Sequence, residues 1–157
     1  GFGMRVLYAG RVPVDRAVER ALGASHATVD DLFAAADFVS VHCPLNAETR
    51  GIVSRARLAR MKRGSVLVNT SRGACVDEAA LAEALAKGPL GAAGLDVFED
   101  EPRVHPALLA LENVVLAPHI GSADRSTRAA MGAMAIDNIL AVLRDDAPLN
   151  PVPSPGR

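Results

Sequence analysis

The chain has 157 residues, half of them hydrophobic, and a net charge of −1. That length suits one globular domain with a core of its own, and the near-neutral charge gives no electrostatic reason to bind nucleic acid or an anionic membrane. No stretch approaches the roughly 20 uninterrupted apolar residues of a membrane span, and no secretory leader pattern opens the sequence, so a cytoplasmic protein is expected.

Aromatic residues are scarce, with no Trp, one Tyr and four Phe. The core is therefore made of Ala, Val, Leu and Ile, which favours close packing of helices on a sheet. Cys43 and Cys75 lie far apart and have neither CxxC nor CxxH spacing. They are expected to be small, reduced and buried, with no disulfide and no metal.

In chain order, "RVLYAGR" (5–11) reads as a short strand ended by Gly10. "PVDRAVERALG" (13–23) has helical spacing, with Pro13 in the first turn and Gly23 as the stop. "TVDDLFAAADFVSVHCPL" (28–45) reads as a helix capped by Asp30, then a strand over Phe38–His42 that Pro44 terminates. "SRARLARMKRG" (54–64) is an amphipathic helix with Leu58 and Met61 facing inward. "SVLVN" (65–69) is a strand, and "DEAALAEALAKG" (77–88) a helix of high propensity with Asp77 at its start. "AAGLDVF" (92–98) and "NVVLA" (113–117) are further strands. A last helix spans about Ser126–Leu143, and a Pro-rich tail (146–157) follows a domain expected over 1–145.

Helix and strand alternate, and the strands are continuous apolar runs. That pattern predicts an α/β fold: a doubly wound, mostly parallel sheet with its strands buried on both faces. In such a sheet ligands bind off the carboxyl ends of the strands. Those ends carry Gly10 and Arg11; His42, Cys43, Pro44 and Leu45; Thr70, Ser71, Arg72 and Gly73; Asp96 through Pro102; and Pro118 through Ser122. Arg72, Glu101 and His119 thus each follow a different strand, and charged groups so near a core need a partner or a use. Taken singly they have bland readings: Arg72 bonding a carbonyl, Glu101 in a solvated acidic loop, His119 as an ordinary loop residue. His26 and His105 read as polar-loop residues, and His42 as closing a strand.

Five motifs in order, "GFGMRVLYAGR", "ADFVSVHCPLNAETRGIV", "MKRGSVLVNTSRGACVDEAALAEAL", "GAAGLDVFEDEP" and "NVVLAPHIGSA", resemble the Rossmann-like cofactor domain of the D-isomer-specific 2-hydroxyacid dehydrogenases. The likeness covers residues 1–152 and is greatest to the glyoxylate/hydroxypyruvate reductase branch. It implies an oxidoreductase that reduces a short 2-oxo acid, glyoxylate or hydroxypyruvate, to the D-2-hydroxy acid, and whose relatives are usually homodimers. Arg72 would grip the substrate's carboxylate and carbonyl oxygen, a task suited to bidentate guanidinium geometry. His119 would be the general acid and Glu101 the partner of its far ring nitrogen, since a neighbouring carboxylate favours imidazolium.

By the same resemblance Cys43, Pro44 and Leu45 would line the adenosine side of the cofactor. Thr70 and Asp96 would line its nicotinamide side, and Gly121 would let the backbone approach beside His119. Arg11 stands where an acidic residue would accept the ribose hydroxyls of NAD, so NADP is the expected cofactor, with NAD possible. The family's GxGxxG loop is not matched by "GFGMRV", so the fold is expected to be truncated at its N-terminus and the chain alone inactive. Two rival readings are a dinucleotide-sensing, corepressor-like binding protein on the same fold, and another family enzyme such as phosphoglycerate dehydrogenase.

Overall fold

Residues 2–152 are described in a computed structural model. The elements are β1 (Val6–Tyr8), α1 (Arg16–Leu22), β2 (Ala24–His26), α2 (Val29–Ala35), β3 (Phe38–Val41), α3 (Arg55–Arg60) and β4 (Val66–Asn69). A 3-10 turn (Gly73–Cys75) leads into α4 (Glu78–Ala86), followed by β5 (Ala92–Leu95), α5 (Pro106–Leu109), β6 (Val114–Leu116) and α6 (Arg125–Leu143). The α/β class and the last helix agree with the expectation.

Local chemistry sets the helix ends. Asp15, rather than Pro13, starts α1 by accepting the Ala17 N–H at 2.6 Å, and Gly23 stops it in the left-handed region at φ 61°. Thr28, and not Asp30, caps α2 by accepting the Asp31 N–H at 3.1 Å; Asp30 instead pairs with Arg57 at 2.7 Å. Asp77 caps α4 as expected, accepting from the Ala80 N–H at 2.9 Å.

Two elements escape the periodicity. β2 is only "ASH", a strand because it pairs in parallel with β1 (Val6↔Ala24 to Tyr8↔His26) rather than because of propensity. His26 therefore ends a strand, its ring set edge-on to Tyr8 at 5.2 Å. His105 is likewise more than a loop residue, since its Nδ1 accepts the Ala107 N–H at 3.3 Å and caps the four-residue α5.

The chain divides into two compact units, Gly1–Pro118 and His119–Arg157. In the first, β3-β4-β5-β6 form a four-stranded sheet with every neighbour parallel, and β1-β2 form a separate parallel pair. Register sorts the larger sheet into two faces. One holds Val39, Leu67 and Ala93 in one row and Val41, Asn69 and Leu95 in the next, all buried. These residues share a core with Phe33 of α2, Leu58 of α3, Leu81 and Leu85 of α4, and Leu108 of α5.

The other face is open, contrary to the expectation of strands buried on both sides: Phe38 is 63% and Val115 73% exposed. Helices α2, α3, α4 and α5 touch one another in sequence over the dry face; in the alternate row the edge-strand residues are exposed and Val66, Val68 and Ala92 half-buried.

In the second unit Asp124 caps α6, its Oδ2 accepting the Thr127 N–H at 2.8 Å and the Ser126 hydroxyl at 2.5 Å. Those bonds, the Ser126 hydroxyl foremost, hold its carboxyl well below the usual carboxylate range. The start of the expected tail is tied to α6, with the Asn150 N–H donating to Asn138 Oδ1 at 2.9 Å; residues 153–157 lie outside the described residues. Among the described residues no helix is long and apolar enough to cross a membrane.

The two faces give a direct test. Leu67→Ala, at a fully buried position, should lower the free energy of unfolding by about 2–5 kcal/mol in a urea titration, and Phe38→Ala on the open face should cost less than half as much.

Candidate active site

Because β3 to β6 are all parallel, the segments that leave them emerge at one sheet edge. Residues 42–45 follow β3, 70–73 follow β4 and 96–101 follow β5. Each turn is built by its own polar residues.

Asn69, buried to 1% exposure at the end of β4, shapes the turn that presents Arg72. Its Oδ1 accepts the Ser71 N–H at 3.1 Å and its Nδ2 donates to the Arg72 carbonyl at 3.0 Å. The Ser71 hydroxyl donates to the Cys43 carbonyl and so ties this turn to the one after β3. Arg72 is exposed; its Nη1 donates to the Ser71 carbonyl at 2.7 Å, and it makes no ion pair among the described residues. The guanidinium is held by backbone and presented to solvent.

Gly73 presses the same turn onto the segment after β5. A Cβ at this position would lie 1.8 Å from the Phe98 carbonyl carbon and 2.4 Å from the Glu99 nitrogen. Only glycine permits that approach. The 98–101 segment is fixed from below by Glu78 of α4, 5% exposed, whose Oε1 accepts the Glu99 N–H at 2.7 Å. Glu101 folds back, its Oε1 accepting the Phe98 N–H at 3.0 Å, and the Glu101–Pro102 peptide is cis. Asp96 is buried, with its N–H donating to the Asn69 carbonyl at 3.0 Å. Thr70, Pro44 and Leu45 are exposed on the same edge.

Seven of the ten expected site residues, Cys43, Pro44, Leu45, Thr70, Arg72, Asp96 and Glu101, thus follow three adjacent strands of one sheet. Arg11 follows β1, whose pair shares no hydrogen bond with that sheet. His119 and Gly121 begin the second unit, and His119 holds φ 53°, a left-handed conformation rare outside glycine. The sequence reading missed Asn69 and Glu78 as positioning residues. Their signal was present: an Asn ending an apolar strand, and a Glu beside the capping Asp77.

A concavity of about 550 Å³ lies elsewhere, among α3, α4 and α5; it is lined largely by alanines and bordered by the Arg55–Glu83 pair. It offers little chemistry. Among the described residues no three His, Cys, Asp or Glu side chains cluster as metal ligands do.

Residues 1–121 match the family described as D-isomer specific 2-hydroxyacid dehydrogenase, NAD binding domain. The chain belongs to this family. It is 51% identical over 144 residues to a glyoxylate/hydroxypyruvate reductase B of Pectobacterium atrosepticum, covering 91% of this chain and 45% of that one. It is 46% identical over 151 residues to a glyoxylate reductase of Aeropyrum pernix, covering 95% and 44%. Its fold is similar to that of an NADPH-dependent glyoxylate/hydroxypyruvate reductase from Sinorhizobium meliloti, solved with NADP and malonate: TM-score 0.87, 39% identity, covering 96% and 46%. The chain thus spans less than half the length of these relatives. The family membership makes this a Rossmann-like NAD-binding domain.

Glu78 and Gly73 can be tested apart from activity. Glu78→Gln keeps an acceptor for the Glu99 N–H and should unfold near the native midpoint. Glu78→Leu leaves that N–H unpaired and should cost about 1–3 kcal/mol, and Gly73→Ala should cost at least as much, both read by urea denaturation.

Proposed function

We propose that the chain is the cofactor half of an NADPH-dependent reductase that converts a short 2-oxo acid, glyoxylate or hydroxypyruvate, to its D-2-hydroxy acid. The observation that carries this reading is the sheet edge on which Asn69 and Gly73 hold an exposed arginine beside the loop of Glu101. Its support from outside is the naming of the relatives as glyoxylate and hydroxypyruvate reductases.

The residues present suit a dinucleotide. Pro44 and Leu45 form an exposed apolar pair against which a flat ring can lie, with Thr70 and Asp96 as polar groups nearby along the edge. A nicotinamide held on the Thr70 and Asp96 side would supply the hydride. Arg72 anchors the 2-oxo acid through its carboxylate and carbonyl oxygen, using the guanidinium N–H groups not spent on the Ser71 carbonyl. His119 delivers the proton to that carbonyl oxygen, and becomes the base in the reverse reaction. Glu101, whose Oε1 accepts the Phe98 N–H, is the carboxylate assigned to the far ring nitrogen of that histidine. Gly121 gives the backbone its close approach beside that residue.

The preference for NADPH rests on the loop after β1. Ala9, Gly10, Arg11 and Val12 contain no carboxylate to accept ribose hydroxyls or to repel a 2′-phosphate. The nearest carboxylates in the chain are already engaged, Asp15 as the cap of α1 and Glu19 by the Tyr8 hydroxyl at 2.8 Å. Arg11, exposed in that loop, is the cation assigned to the phosphate. The family resemblance further implies that the whole enzyme is a homodimer.

The test is a chimera in which this chain replaces the matching segment of the Pectobacterium reductase. It should oxidise NADPH in the presence of glyoxylate, and Arg72→Lys should cut kcat/KM about 100-fold or more. Glu101→Gln should lower turnover in the same assay. A folded chimera that binds NADPH yet reduces no 2-oxo acid would favour a dinucleotide-sensing protein, and the 157-residue chain assayed alone should show no turnover.

A further inference from the structure

The two cysteines, 32 residues apart in sequence, meet: Cys43 Sγ lies 3.9 Å from Cys75 Sγ. Both are free thiols. Cys75 is fully buried at the end of the 3-10 turn, whereas Cys43 is half-buried at the sheet edge. The segment that follows Cys43 is hydrogen-bonded to the one that carries Cys75. The Gly51 N–H donates to the Ala74 carbonyl at 2.9 Å, the Val53 N–H donates to the Cys75 carbonyl at 2.9 Å, and Val53 and Val76 form a parallel bridge. The Ser71 hydroxyl adds a tie to the Cys43 carbonyl.

We infer that Cys43 and Cys75 form an oxidation site, a dithiol that peroxide closes into a disulfide. The separation must shrink from 3.9 Å to about 2.05 Å, and the proposal assigns that closure to the sulfurs turning about their own side-chain bonds. Exposure sets the order of events. Cys43, the accessible sulfur, attacks peroxide as its thiolate; the O–O bond breaks, leaving a Cys43 sulfenic acid and hydroxide, which takes up a proton to become water. Cys75 then attacks the Cys43 sulfur. An S–S bond forms as the S–O bond breaks, and the departing hydroxide takes the Cys75 proton as a second water. Two thiols lose two electrons, and one peroxide becomes two waters.

Burial, and then the neighbouring Cys43, push the Cys75 thiol up. It therefore stays protonated and inert until an oxidised sulfur stands beside it. The disulfide would draw Cys43 toward the turn that carries Arg72, tilting Pro44 and Leu45, and its effect on cofactor affinity rests on the functional reading above. Formation of the bond does not.

The experiment is peroxide titration of the reduced protein, followed by alkylation and peptide mass analysis. The protein should lose the mass of two hydrogens, and the tryptic peptides 21–50 and 73–87 should appear cross-linked, separating again on reduction with dithiothreitol. Alkylation of Cys43 in the native protein should slow about tenfold or more after oxidation. Cys75→Ala should instead leave a Cys43 sulfenic acid trapped by dimedone, and Cys43→Ala should leave Cys75 untouched by peroxide. Reduced wild-type protein should also bind phenylarsine oxide one-to-one, a reading that requires two adjacent thiols and no variant. Gain of oxygen at Cys43 with Cys75 still a free thiol, or no uptake of the arsenical, would overturn the proposal.

Discussion

The candidate site hangs on one close approach, that of Gly73 to the backbone of Phe98 and Glu99. Two turns that leave neighbouring parallel strands touch there through main chain alone, with no room for a methyl group. Asn69 shapes one turn from its inner side, and Glu78 holds the other by a single hydrogen bond from below. Arg72 and Glu101 therefore need no contact with each other to be held on the same edge. Their positions are inherited from backbones that cannot separate without exposing buried acceptors.

That arrangement explains where an alanine-rich core tolerates polarity. The buried polar residues are Ser65, Asn69, Glu78 and Asp96, and among the described residues no buried side-chain nitrogen or oxygen lacks a partner. Asn69 and Glu78 spend their polar atoms on N–H and C=O groups of the functional turns, which lie beyond the sheet ladder. The dry face beneath is packed by Leu58, Leu67, Leu81 and Leu108. Rigid apolar support below and satisfied polar turns above give the exposed arginine a fixed base.

The thiol pair shares that base. Cys43 leaves β3 beside Ser71, and Cys75 closes the 3-10 turn that begins with Gly73. The Ser71 hydroxyl links the Cys43 carbonyl to the turn of Arg72, and the Cys75 N–H donates to the Arg72 carbonyl at 3.1 Å. Both thiols thus sit within one or two hydrogen bonds of the turn that presents the arginine.

Much was legible in the residues themselves. The apolar runs at 38–41 and 66–69, the Gly23 stop and the Asp77 cap are dictated by local sterics and hydrogen bonding, and so is the order of polar segments after the strands. The motifs carried the family. Tertiary structure decided the remainder: that "ASH" is a strand because β1 lies beside it, that one face of the sheet is open, and that Asn69 and Glu78 serve turns rather than the core. It also brought together two cysteines whose spacing suggested no relation. The reason is physical: caps, stops and periodicity act within a few bonds of chain, whereas which backbones meet depends on the packing of segments some thirty residues apart.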